Sequence, residues 1–278
     1  SVVKPFMLYA ALKEKIIGEY TQIFSSGKLV IPNRFGGPDT VFRDWKPHGL
    51  TDARKALQES SDEYFYQVGG GYKDQPGLGI DRIHTYMTNF GFGEMTGVDM
   101  PNEKSGIVPS REWKKENFED GEWLLGNTYH TAIGQYGFQT SPLELARSVA
   151  AIANGGKFVT PRVYGSTTTT RSIDLDPGYL KVLHEGMKLA AGPGGTAVAI
   201  SNLNLSVAAK TGTAELGYDN ARVNSWITGY MPYENPKYVF VLMLESGSRD
   251  NKRGASYAMK EVLEWMKDNA SEYLTIKE

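Results

Sequence analysis

The run from Tyr238 to Leu244, Tyr-Val-Phe-Val-Leu-Met-Leu, constrains the fold of this chain more than any other stretch. It is far shorter than the ~20 residues that span a bilayer, and its β-branched and aromatic residues favour a strand. Being apolar on both faces, it must be covered on both, as an interior strand is. Two strand-like segments precede it, Leu205 to Thr213 and Val223 to Met231, and Pro232-Tyr233-Glu234-Asn235-Pro236 makes a dense turn before it. A helix from Ala255 to Asp268 follows, with Ala255, Ala258, Met259, Val262 and Met266 on one face. The expected unit is an antiparallel sheet flanked by helices. Nothing in the chain obviously pairs with the free side of the last strand, and a bare edge of that kind invites aggregation. Partner strands are therefore expected upstream of Ser1, and the chain is expected to be an N-terminally truncated piece.

The rest is mostly helical. Residues Ser1 to Tyr20 predict a helix, with Val2, Met7, Leu8, Ala11, Leu12 and Ile16 at helical spacing and Pro5 tolerable only near its first turn. A polar, Gly/Pro-rich stretch runs from Ser25 to Gly49. Shorter helices are expected at Thr51 to Ser60 and Ile80 to Phe90. Ser141-Pro142-Leu143-Glu144 opens a helix to Asn154, which Gly155-Gly156 stops, and another runs from about Gly178 to Ala190 and ends at Gly192-Pro193-Gly194-Gly195. This divides residues 1–278 into a helical subregion at about 20–200 and a sheet subregion at about 201–278, with the first helix between them. The class is α+β.

Composition removes several functions. A net charge of -2 argues against a nucleic-acid partner, and the absence of cysteine rules out disulfides, thiolate zinc sites and a cysteine nucleophile. No signal peptide is recognisable.

Three short motifs carry possible chemistry. In Ser1-Val2-Val3-Lys4, helical spacing puts the amine within reach of the hydroxyl, and a neutral lysine can activate a serine. A helix N-terminus adds partial positive charge where an oxyanion forms. The same four residues also fit a capping serine and a solvated lysine. Lys210-Thr211-Gly212-Thr213 ends a predicted strand, where a lysine and two hydroxyls can hold a carboxylate while a backbone N–H faces a substrate; a plain strand end is the alternative. Ser60-Ser61-Asp62 equally fits a helix cap before Glu63-Tyr64-Phe65-Tyr66.

Together and in this order, the three motifs resemble the signature of penicillin-binding proteins and class A β-lactamases. More of the chain resembles one branch, the elongation-type penicillin-binding protein 2. Ser60 to Val68, Gly91-Phe92-Gly93 with Thr96-Gly97, Pro109-Ser110-Arg111-Glu112-Trp113, Ile133-Gly134-Gln135, and the stretch from Thr140 to Gly156 all agree with it. Asp62, where many relatives have Asn, fits that branch too.

The resemblance implies the transpeptidase fold of that superfamily, and crosslinking of peptidoglycan stem peptides that end in D-Ala-D-Ala, in cell elongation and shape maintenance. Ser1 is implied as nucleophile, Lys4 as general base, Ser60 as proton relay, and Lys210 as a catalytic cation. Lys210 with Thr211 and Thr213 would anchor the substrate carboxylate, with Gly212 and Asp62 in the substrate site. Backbone N–H groups of Ser1 and Thr213 would form the oxyanion hole, and β-lactams would acylate Ser1. Two cations ~4 Å apart repel by about 4 kcal/mol at an effective dielectric near 20, so Lys210 is expected to help keep Lys4 neutral. No cofactor is implied. Some relatives carry a metal site that includes a cysteine in the triplet; Ser61 stands there, so no such metal is expected. Implied partners are a glycosyltransferase and elongation-complex proteins, at the periplasmic face of the inner membrane, with the anchor outside this chain. A truncated piece lacking upstream strands is expected to be at risk of inactivity. The competing readings are a serine β-lactamase, for which no deacylation motif is found, and a non-enzymatic penicillin sensor.

Overall fold

The computed structural model describes residues 1–34, 36–165, 168–217, 220–251 and 253–274. The first helix, α1 (Lys4–Lys13), runs through the centre of the molecule, with every residue from Lys4 to Leu12 buried. Being apolar all round, it must be packed all round, and burying each of Phe6, Met7 and Leu8 contributes about 1.5–3 kcal/mol. The helix is shorter than the expected Ser1 to Tyr20. It begins after Ser1 and ends before Lys15, which takes φ +55°, a left-handed conformation that stops helical hydrogen bonding.

The Gly/Pro-rich stretch that looked irregular holds two small antiparallel ladders. β1 (Ile23–Ser25) and β2 (Lys28–Ile31) lead into β3 (Thr40–Arg43) and β4 (Gly49–Thr51), with β1 paired to β4 and β2 to β3. A helical body follows: α2 (Ala53–Gln58), α3 (Asp62–Gly70), α4 (Ile80–Asn89), α5 (Arg111–Asn117), α6 (Leu125–Ala132) and α7 (Pro142–Ala153). Ser141 and Glu144 form a reciprocal capping box at the start of α7, at the boundary the sequence indicated. A short hairpin of β5 (Lys157–Val159) and β6 (Thr170–Ser172) then precedes α8 (Pro177–Ala190), whose Asp176 cap accepts from the N–H groups of Gly178 and Tyr179.

The last third is a three-stranded antiparallel sheet in the order β7 (Ala208–Leu216), β8 (Arg222–Met231), β9 (Tyr238–Ser248), followed by α9 (Ala255–Asn269). Its alternation explains the doubly apolar run. Val239, Val241 and Met243 pack against the core built around α1, whereas Phe240 and Leu242 pack against a second core with Ile227, Met259 and Leu263. β9 pairs with β8 and is an edge of the sheet among the described residues. None of the described helices is long and apolar enough to cross a membrane.

Candidate active site

Period-two alternation decides which way each residue of β7 faces. Ala208 belongs to the α1 core and Ala209 to the core beneath α9, so Lys210 turns towards α1 and Thr211 away from it. The sequence placed Lys210 to Thr213 at a strand end; in the structure β7 continues to Leu216, paired residue by residue with β8, and the motif lies inside the strand. Gly212 sits where β7 passes the start of the chain. A Cβ there would lie 3.0 Å from Val2 Cγ1 and 3.2 Å from Val2 N, so a side chain at this position would push the strand off Ser1 and Val2. Gly134, at φ +85°, closes on the same residues from the other side, its Cβ position 2.9 Å from Val3 Cγ2 and 3.3 Å from Ser1 N.

Ser60 lies in the joint between α2 and α3. The Lys4 ammonium donates to Ser60 O at 2.8 Å, Ser60 Oγ at 3.2 Å and Asp62 Oδ1 at 2.6 Å, three acceptors for its three hydrogens. From the opposite side Lys210 Nζ donates to the same Ser60 Oγ at 2.7 Å and to Thr211 O at 2.8 Å. Both lysines are fully buried. One serine hydroxyl therefore bridges two amines. Ser61, between the two site residues, caps α3 by accepting from Tyr64 N, so the capping reading of the triplet is realised.

Burial first, and then the charge of Lys4, hold the Lys210 amine well below the ordinary lysine value, with Asp62 opposing them. Sequence reasoning had Lys210 acting on Lys4. The structure puts the counter-ion Asp62 directly on Lys4, and among the described residues Lys210 has no carboxylate contact of that kind.

Ser1, Ser60, Asp62, Thr211, Gly212 and Thr213 line one open cleft of about 1160 Å³, with Lys4 and Lys210 beneath its floor. All eight residues singled out from the sequence thus converge on one site. Sequence reasoning missed Thr196, whose Oγ1 receives a 2.7 Å hydrogen bond from Thr211 Oγ1 and so orients that hydroxyl. Its signal was Gly192-Pro193-Gly194-Gly195, read only as a helix stop. Also missed were Tyr66, His130 and Trp226, aromatic walls of the same cleft. Burial holds the His130 imidazole below its ordinary value, against the opposing pull of Glu215 and Asp62.

The chain bears on known proteins at this site. Residues 1–264 match the family model described as penicillin binding protein transpeptidase domain. The chain belongs to that family. Peptidoglycan D,D-transpeptidase MrdA of Haemophilus influenzae is 33% identical to this transpeptidase domain over 291 residues, covering 94% of the chain and 43% of the relative. Penicillin-binding protein 2 of Helicobacter pylori, solved in complex with MreC, superposes with a TM-score of 0.81 at 32% identity, over 97% of this chain and 49% of that one. Penicillin-binding protein 2 of Pseudomonas aeruginosa, solved with WCK 5153, gives a TM-score of 0.81 at 28% identity, over 98% of this chain and 62% of that one. The chain thus spans less than half the length of the curated relative. At Ser61 the hydroxyl donates to Asp44 Oδ2 at 2.9 Å, and among the described residues no group of three His, Cys, Asp or Glu side chains is placed to hold a metal ion.

Proposed function

We propose that this transpeptidase domain crosslinks peptidoglycan stem peptides through an acyl-enzyme on Ser1. The observation that carries this reading is the Ser60 hydroxyl held between the Lys4 and Lys210 amines at 3.2 and 2.7 Å, in the cleft that Ser1 lines. The Ser1 oxygen attacks the penultimate carbonyl of a D-Ala-D-Ala stem, a C–O bond forms, the C–N bond to the last D-Ala breaks, and the departing amine takes a proton. An amine of a second stem then attacks the ester, a C–N bond forms, the acyl C–O bond to Ser1 breaks, and the proton lost by that amine restores the Ser1 hydroxyl.

Lys4 is the general base of this scheme, and it accepts a proton only as the free amine. Its three hydrogens are engaged, and the amine whose proton affinity burial and charge reduce is Lys210. A proton passed from Lys4 to Ser60 Oγ, as Ser60 gives its own to Lys210, leaves Lys4 as the base. Ser60 is then the relay, and Lys210, now cationic, attracts the substrate carboxylate together with Thr211 and Thr213. The backbone N–H groups of Ser1 and Thr213 are the oxyanion donors of this reading, supported by the close approach of Gly212 to Ser1 and Val2. β-Lactams acylate the same serine.

The likeness to MrdA and to penicillin-binding protein 2 supports a place in cell elongation at the periplasmic face of the inner membrane. Partners of this reading are a scaffold of the MreC kind, as in the Helicobacter pylori complex, and a glycosyltransferase that supplies the glycan. Incubating the full-length protein with a stem pentapeptide and an acceptor amine tests the reaction. The reading expects release of D-Ala with a crosslinked product that the S1A variant does not form. Release of D-Ala with hydrolysis alone, or rapid turnover of a penicillin, would contradict it.

A further inference from the structure

Ser60 has φ +56°, a left-handed conformation that is strained for a non-glycine residue. It persists only if its surroundings over-determine it. The joint is short: α2 ends at Gln58 with Glu59 as its C-cap, and α3 starts at Asp62 with Ser61 as its N-cap. Glu59, Ser60 and Ser61 are therefore the whole connection, and both neighbours of Ser60 are tied to one side chain.

That side chain is His48, which is itself buried. Its Nδ1 lies 2.6 Å from Glu59 Oε2. Its Nε2 has no hydrogen bond among the described residues and faces Asp44 Oδ1 at 3.4 Å. Asp44 Oδ2 in turn accepts from Ser61 Oγ at 2.9 Å and from Glu63 N at 2.8 Å, the first turn of α3. The backbone of the pair is fixed as well, since His48 N donates to Ser25 O at 3.1 Å and Asp44 N to Gly27 O at 2.9 Å. Trp45, between them in sequence, donates from Nε1 to Glu59 O at 3.1 Å. The imidazole thus meets the joint from both ends, contacting Glu59 directly and facing across 3.4 Å the Asp44 that holds Ser61.

We propose that His48 is a positioning residue of the active site, bracketing Glu59 and Asp44 so that Ser60 Oγ stays between Lys4 and Lys210. This rests on the reading of Ser60 as the proton relay. His48 does not line the cleft, and it acts through the backbone of the joint.

Three substitutions in the full-length protein separate the two arms. H48A removes both; H48N keeps an N–H near the position of Nδ1, towards Glu59; H48Q keeps one near that of Nε2, towards Asp44. Penicillin acylation is measured to saturation, so that the encounter affinity and the limiting rate are read separately. The expected result for H48A is a limiting rate lower by on the order of a hundredfold, with the encounter affinity changed little. H48N and H48Q fall in between, and a chelator leaves the wild-type rate unchanged. Amide exchange at Glu63 and Tyr64 quickens in H48A, while that at Gly71, at the far end of α3, does not. A purely structural role would lower the melting temperature and leave the limiting rate of the folded molecules unchanged, and that result overturns the proposal. Loss of the wild-type rate on chelation overturns it too, since a metal would then hold the joint. If the wild type is never acylated, the proposed reaction fails, and the exchange pattern alone then decides for or against the bracket.

Discussion

Lys210 and Lys114 are both buried lysines, and their surroundings drive them in opposite directions. Lys210 shares a hydroxyl with a second lysine, and burial with that like charge depresses its proton affinity. Lys114, on α5, reaches Asp120 Oδ2 at 3.3 Å and Asn127 Oδ1 at 3.2 Å; burial lowers it, but the bonds to Asp120 and Tyr136 more than offset that and raise it. A buried lysine with a carboxylate and an amide for company ties two segments together. A buried lysine facing another across one hydroxyl holds a proton loosely and can exchange it. Burial alone does not separate the two; the sign of the nearest charge does.

The largest effect expected from this contrast is on acylation. K4M and K210M each reduce the rate of penicillin acylation by about 10²- to 10⁴-fold, the span of general acid–base catalysis. K114M leaves the rate of the folded protein within about threefold of wild type, because its loss falls on stability. Equal losses from all three variants would erase the distinction.

The pH dependence of stability is a smaller and sharper test. Because the folded-state affinity of Lys210 is depressed, the unfolded chain binds the extra proton below the ordinary lysine pKa of ~10.4. Wild type therefore gains stability over K210M as pH rises from neutrality towards that value, which denaturant titrations at several pH values would show. A difference that stays flat or falls contradicts the assignment. The smallest effect is expected from D120N. Asp120 is 65% exposed, so removing its charge from Lys114 shifts the melting temperature by no more than about 3 °C.

Residues with a local pattern were legible in the sequence. Ser1 with Lys4, and Lys210 with Thr211 and Thr213, stand out by type and spacing, and their convergence then follows from the central position of α1 and the alternation of β7. The helices α4, α7 and α8 and the strands β8 and β9 lie close to where periodicity and turn residues put them, because long amphipathic or doubly apolar segments leave few alternatives. What escaped depends on contacts distant in sequence. β2 offers only Lys28-Leu29-Val30-Ile31 and its partner β3 is mostly exposed, so neither shows a pattern above the glycines and prolines around it. Only the turn Gly192-Pro193-Gly194-Gly195 points to Thr196, which matters because Thr211 meets it across 15 positions. His48, in Lys46-Pro47-His48-Gly49, gives no hint that it grips a joint more than ten residues further on.

The most direct test of the account is to treat the full-length protein with a penicillin and map the covalent adduct by mass spectrometry of its peptides. The account predicts a long-lived adduct on Ser1, absent from S1A and formed far more slowly by K4M and K210M. An adduct on another residue, or none on Ser1 in a folded protein, would contradict it.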